Sequence, residues 1–166
     1  QTPPETLAEL LTPFWRAAGV DPNAVEAKGR AWLVKAVPLF VERSKTLLEM
    51  ARSMAFLFAP PPARDPKAEA KFLTQEYLVL LGEASQALAG APDFSAEALE
   101  GLFRGLAGQR GRKLVDYAQP IRVVLTGTTA SPPLFPVLSL LGREAVLDRL
   151  AHEVHPGQAA GRLERS

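Results

Sequence analysis

The 166-residue chain contains no cysteine. A disulfide scaffold, a thiolate metal site and a cysteine nucleophile are therefore excluded together. Histidine is nearly absent too: only His152 and His155 occur, with no cysteine beside them. Their setting fits a helix end, where imidazole complements the macrodipole, better than a metal centre, and no metal is expected. Long apolar runs are missing; residues 54–62 form one of the longest, well short of the roughly 20 residues a membrane span needs. No membrane association is expected. No basic start followed by an apolar stretch suggests a secretory leader. The chain opens on Gln1 rather than methionine, as a fragment of a longer protein would, and a cytoplasmic location is expected.

Catalytic signatures are equally scarce. There is no G-x-S-x-G elbow, no G-x-x-x-x-G-K-[ST] loop and no G-x-G-x-x-G. The run Gly108-Gln109-Arg110-Gly111-Arg112-Lys113 is glycine-rich and basic but fits none of these spacings. Glu97 and Glu100 share a helix face, where solvation is their natural role. Nothing assembles a nucleophile, a base and an oxyanion donor. The chain is expected to carry out no reaction itself, with no catalytic residue and no cofactor.

What is present is helical. With 47% hydrophobic and 22% charged residues, the chain can bury one core or two small ones. Thr2 before Pro3-Pro4 reads as an N-cap, and Leu7, Leu10, Leu11, Phe14 and Trp15 form one apolar stripe running toward Gly19, kinked or split at Pro13. Asp21-Pro22 and Ser95 are further caps, and Pro38 a further break. Four prolines between Ala59 and Pro66 predict a stiff extended linker. Beyond it the pattern predicts a helix through Phe72 and Tyr77 ending near Gly82, with a short continuation to Leu88. A stretch loosened by Gly105, Gly108 and Gly111 comes next, then a helix over 114–125 interrupted at Pro120. A helix capped by Ser131-Pro132 and closed by Gly142, and a last one to Val154, complete the pattern. Val123-Val124 is too short for a strand. The expected fold is all-α, with about eight short helices in two sub-bundles: residues 1–62, residues 63–154, and a flexible tail over 155–166.

Charge is unevenly spread. Residues 1–100 carry ten Lys/Arg against thirteen Asp/Glu, whereas residues 101–166 carry nine against five. Arg104, Arg110, Arg112, Lys113 and Arg122 cluster with a single acid, Asp116. Such a local cationic face suits contact with phosphates.

One segment is compositionally unusual. It contains Ala118-Gln119-Pro120-Ile121-Arg122, then Leu125-Thr126-Gly127, Ser131-Pro132-Pro133-Leu134-Phe135 and Leu140-Leu141-Gly142. It closely resembles the C-terminal signature of bacterial glutamyl-tRNA synthetases. Arg43-Ser44-Lys45-Thr46-Leu47 resembles the Arg-x-x-Thr-Leu stretch of the preceding helical domain in the same family. The family's nucleotide-binding signatures, His-Ile-Gly-His and Lys-Met-Ser-Lys in type, do not occur. The resemblance therefore implies the anticodon-binding half, an α-helical cage around the anticodon loop. Its expected partners are the anticodon loop of tRNA-Glu and the N-terminal catalytic domain of the same enzyme, and it is expected to be a monomer. ATP and magnesium would belong to that catalytic domain.

The resemblance also implies residue roles. Arg43 falls at the position that contacts the third anticodon base. Arginine offers only donors, which suit the O2 and N3 acceptors of cytosine and meet the N1–H and N2–H of guanine badly. A discriminating enzyme is expected. Arg122, Ser131, Pro132 and Leu134 fall around the first anticodon base, with a serine-capped helix start offering N–H groups and Pro132 and Leu134 an apolar platform. Arg110, Arg112 and Lys113 are expected to follow the phosphate backbone. Trp15, Trp32 and Tyr117 could stack on bases, but a tryptophan on an apolar helical stripe is more often core, and Phe135 reads as core. The alternative is a helical protein-interaction or regulatory module that kept this fold without an RNA role.

Overall fold

A computed structural model of the chain describes residues 2–154. The predicted tail over 155–166, with His155, lies outside the described residues, within which the chain is all-α. Ten α-helices and four 3-10 turns replace the eight helices expected, and no strand occurs among the described residues. None of these helices is long and apolar enough to cross a membrane. The chain divides into two compact units after Pro60, inside the proline run.

The first unit holds α1 (Pro4–Leu10), α2 (Pro22–Lys28), α3 (Arg30–Ala36) and α4 (Leu47–Met54). Pro13 lacks the N–H that would bond the Glu9 carbonyl, so α1 stops at Leu10 and the chain continues as a 3-10 turn, Thr12–Phe14. The helix start moves as well: the residue before α1 is Pro3, with no side-chain cap bond, instead of Thr2. Asp21 caps α2 as expected, accepting the Asn23 N–H at 2.9 Å. Leu11, Trp15, Ala36, Val37, Phe40, Ala51 and Met54 fill the core. Phe58 stands edge-on to both Trp15 and Trp32, at 5.4 and 5.6 Å between ring centres.

The second unit holds α5 (Pro66–Phe72), α6 (Gln75–Ala89), α7 (Ala96–Arg110), α8 (Leu114–Thr126), α9 (Leu134–Leu141) and α10 (Arg143–Val154). Helix α8 is its centre, packed against α5, α6, α7 and α10. That position explains why Pro120 does not interrupt it. Tyr117, Ala118, Pro120, Ile121, Val123, Val124 and Leu125 are all buried. At about 1.5–3 kcal/mol for each large apolar side chain buried, this packing outweighs the roughly 3 kcal/mol an internal proline costs.

The glycines are corrected in the same way. Gly82 does not end a helix; α6 runs through it, and a β-carbon there would stand 3.8 Å from Val154 Cγ1, so its small size serves the close crossing of α10. Gly105 and Gly108 lie inside the unbroken α7. Only Gly111 ends it, at φ +65°. Arg112 N–H bonds the Ala107 carbonyl at 2.8 Å and Gly111 N–H that of Gly108 at 3.3 Å, a Schellman closure. Ser95 caps α7, accepting the Ala98 N–H at 3.2 Å.

Candidate nucleic-acid interface

Arg122 lies on the last turn of α8, half-buried. Its Nη1 donates to Gln119 Oε1 at 3.1 Å and its Nε to Ser131 Oγ at 3.2 Å. Gln119 precedes Arg122 by one helical turn, the spacing at which side chains on a helix meet. Two of its contacts are thus to neutral acceptors, which orient the guanidinium plane.

Ser131 is 7% exposed, and its hydroxyl donates to the Pro132 carbonyl at 3.2 Å. It is not the cap predicted for the next helix. Helix α9 begins at Leu134 behind Pro133, with no side-chain cap bond. The helix start shifts because each proline disfavours helical backbone in the residue before it, here Ser131 and Pro132. Pro132 is buried and Leu134 is 3% exposed, while Pro133 is the exposed member of the turn. Phe135 belongs to the core as expected, 5.8 Å from the Phe103 ring.

The turn that brings Ser131 back to Arg122 depends on Gly127, at φ +84°. Here the backbone of the linker crosses the turn. Asp65 N–H donates to the Gly127 carbonyl at 2.8 Å, and a β-carbon on residue 127 would stand 2.9 Å from the Ala63 carbonyl oxygen. Arg64, next to that crossing, bonds Glu153 at 2.7 Å and Glu69 at 3.4 Å. The hydrogen bond to Glu153 raises the Arg64 pKa, so it stays charged.

Arg43, in the first unit, ends the 3-10 turn Val41–Arg43 and is exposed. Among the described residues no hydrogen bond or ion pair engages its side chain. The chain on either side is tied down. Ser44 Oγ donates to the Phe40 carbonyl at 2.9 Å, Lys45 N–H donates to Glu49 Oε2 at 2.9 Å, and Glu49 N–H donates to Thr46 Oγ1 at 3.0 Å. Leu7, Val41, Leu47 and Met50 line a groove of about 510 Å³ beside this loop, with Ser44, Lys45 and Thr46 at its polar side.

The cations around the α7–α8 turn have partners that sequence spacing hides. Arg110 Nε lies 3.6 Å from Glu83, and Arg112 Nη1 3.4 Å from Glu76; both acids come from α6, more than 25 residues earlier. Lys113 donates its backbone N–H to the Asp116 carboxylate at 3.0 Å, and Arg104 pairs with Glu100. The more exposed pairs, Arg104 with Glu100 and Arg112 with Glu76, are worth little, about 0–1 kcal/mol each.

Beneath them Tyr117 is 1% exposed and donates its hydroxyl to Glu83 at 2.9 Å. Burial first, then the bond to Glu83, pushes its pKa from 10.0 to about 12. A phenol with a raised folded-state pKa stabilises the fold fully below its unfolded value, and that contribution disappears as pH climbs through the folded one. Unfolding free energy therefore falls between pH 10 and 12, and Tyr117→Phe flattens this limb. Urea titrations of both chains across that range check it; an identical slope in the two removes Tyr117 from the account.

The described chain is all-helical, with a cluster of cations around the turn between α7 and α8. The chain belongs to the anticodon binding domain family, whose profile matches residues 6–154. Its relatives are glutamate–tRNA ligases, as the segment from Ala118 to Gly142 implies. It is 36% identical over 149 residues to the glutamate–tRNA ligase of Thermodesulfovibrio yellowstonii, covering 90% of this chain and 32% of that one. It is 41% identical over 147 residues to the ligase of an Anaeromyxobacter species, covering 89% and 30%. A crystal structure of a glutamate tRNA ligase from Elizabethkingia meningosepticum in complex with its amino acid superposes with a TM-score of 0.73 at 22% identity, over 92% of this chain and 30% of that one. The chain thus spans about a third of the length of these relatives.

Proposed function

We propose that the chain recognises the anticodon loop of tRNA-Glu in the cytoplasm, as a monomeric module of a glutamate–tRNA ligase. The observation that carries this reading is the Arg122 guanidinium, held in a fixed plane by Gln119 and Ser131 beside an exposed proline turn. An unstacked base offers a face to stack on and an edge to hydrogen-bond, and a pre-oriented guanidinium serves both. Arg43 adds an exposed donor array in the first unit, matched to cytosine at the third anticodon base. Pro132 and Leu134 act from below, fixing the turn that carries Ser131 and Pro133. Arg110, Arg112 and Lys113 follow phosphates. This reading asks for no cofactor in the chain itself; ATP and magnesium would serve the catalytic domain of the longer enzyme, its covalent partner.

A gel-shift titration of the chain with tRNA-Glu tests this. Affinity falls as salt rises, and an unrelated tRNA binds at least about tenfold more weakly, the scale of one or two lost base contacts. Equal affinity for both tRNAs would instead favour the reading as a helical protein-interaction module.

A further inference from the structure

The interactions around Arg43 point to a residue that sets specificity without touching RNA. Resting on the anticodon reading above, we infer that Glu49 is the positioning residue for Arg43. Arg43 is the last residue of a 3-10 turn, and Ser44 follows it in extended conformation at φ −121°, ψ 131°. A long exposed side chain on such a junction is only as well placed as the backbone on its two sides.

Upstream, the junction is anchored to the core. Phe40 is fully buried and packs 6.0 Å from Phe56, and its carbonyl accepts both the Arg43 N–H at 3.3 Å and the Ser44 hydroxyl. Downstream, the anchor is Glu49. Its carboxylate accepts the Lys45 N–H at 2.9 Å, while its own N–H donates to Thr46 Oγ1 at 3.0 Å. Glu49 stands on the first turn of α4, whose Met50, Ala51 and Met54 are buried. A carboxylate near a helix N-terminus is favoured by the macrodipole. One side chain therefore ties residue 45 to a helix rooted in the core, two residues beyond Arg43. An ordinary capping box reaches back to the N-cap N–H; this one reaches a residue further, to Lys45, and so grips the recognition loop.

The geometry predicts an effect on selectivity separable from stability. Two tRNAs differing only in cytosine or guanine at the third anticodon base are titrated against the full 166-residue chain and its variants, and a melting curve is recorded for each. Arg43→Gln reduces the cytosine-over-guanine ratio about tenfold, within the range of a bidentate base contact. Glu49→Ala reduces it about threefold or more by loosening that contact. Glu49→Gln, which keeps an acceptor oxygen for Lys45 N–H, preserves the ratio within about twofold. Asp21→Ala removes a cap elsewhere in the same unit; it lowers the melting temperature and leaves the ratio unchanged. A ratio lost in Arg43→Gln but intact in Glu49→Ala overturns the role of Glu49 and leaves the anticodon reading standing. A ratio indifferent to Arg43→Gln overturns the base-reading role of Arg43 and, with it, the positioning role of Glu49.

Discussion

Gly127→Ala lowers the unfolding free energy of the second unit by about 2–5 kcal/mol. About 1–2 kcal/mol of this is the cost of a left-handed backbone for an L-residue, since Gly127 sits at φ +84°. The rest, about 1–3 kcal/mol, is overpacking. The new β-carbon would lie 2.9 Å from the Ala63 carbonyl oxygen and 3.6 Å from Arg64 Cα, backbone atoms that cannot rotate away. Moving the linker to make room also stretches the 2.8 Å bond from Asp65 to Gly127. Gly105→Ala is the matched comparison. It lies inside α7, has nothing within 4 Å of an added β-carbon, and gains up to about 1 kcal/mol from better helix propensity. Urea denaturation of the two variants gives shifts of opposite sign; a Gly127→Ala chain as stable as the parent would show that the linker does not press on this turn.

Arg122→Ala weakens binding of tRNA-Glu by roughly 10- to 100-fold, the range of 1–3 kcal/mol for a specific base contact. Truncation removes the guanidinium and frees Gln119 and Ser131, so the turn around residues 131–133 loses its tie to α8. Arg122→Lys separates charge from shape. An ammonium keeps the positive charge but cannot reach Gln119 and Ser131 from one plane, so most of the loss remains. Full recovery with lysine would make Arg122 a phosphate contact, with no part in reading a base.

Much of the fold is written locally. Asp21 and Ser95 occupy cap positions that any helical pattern would assign, and Pro13 ends α1 by chemistry confined to one turn. The failures share one cause. Pro120, Gly82, Gly105 and Gly108 are helix breakers by local propensity, yet α6, α7 and α8 run through them, because burial against distant helices outweighs a cost of about 1–3 kcal/mol per residue. Ser131 illustrates the reverse: the prolines after it, so suggestive of a helix start, disfavour helical backbone in the residues before them, and α9 starts only at Leu134.

The candidate site was legible to a similar degree. Arg122 and Gln119 lie one turn apart, a pairing that spacing gives only where the helix continues through Pro120, against its local propensity. The acids facing Arg110 and Arg112 come from another helix, and no spacing rule connects Glu83 to Arg110 or Glu76 to Arg112. By spacing Glu49 is an ordinary first-turn acid of α4; its bond to Lys45 N–H depends on the backbone path of residues 43–46.

The central claim is that the chain reads an anticodon, and chemical footprinting of tRNA-Glu tests it most directly. Bound chain should shield the Watson–Crick edges of the three anticodon bases and leave the acceptor stem as reactive as in free tRNA, with shielding of the first base lost in Arg122→Ala. Anticodon bases that stay fully reactive at saturating protein would contradict the account.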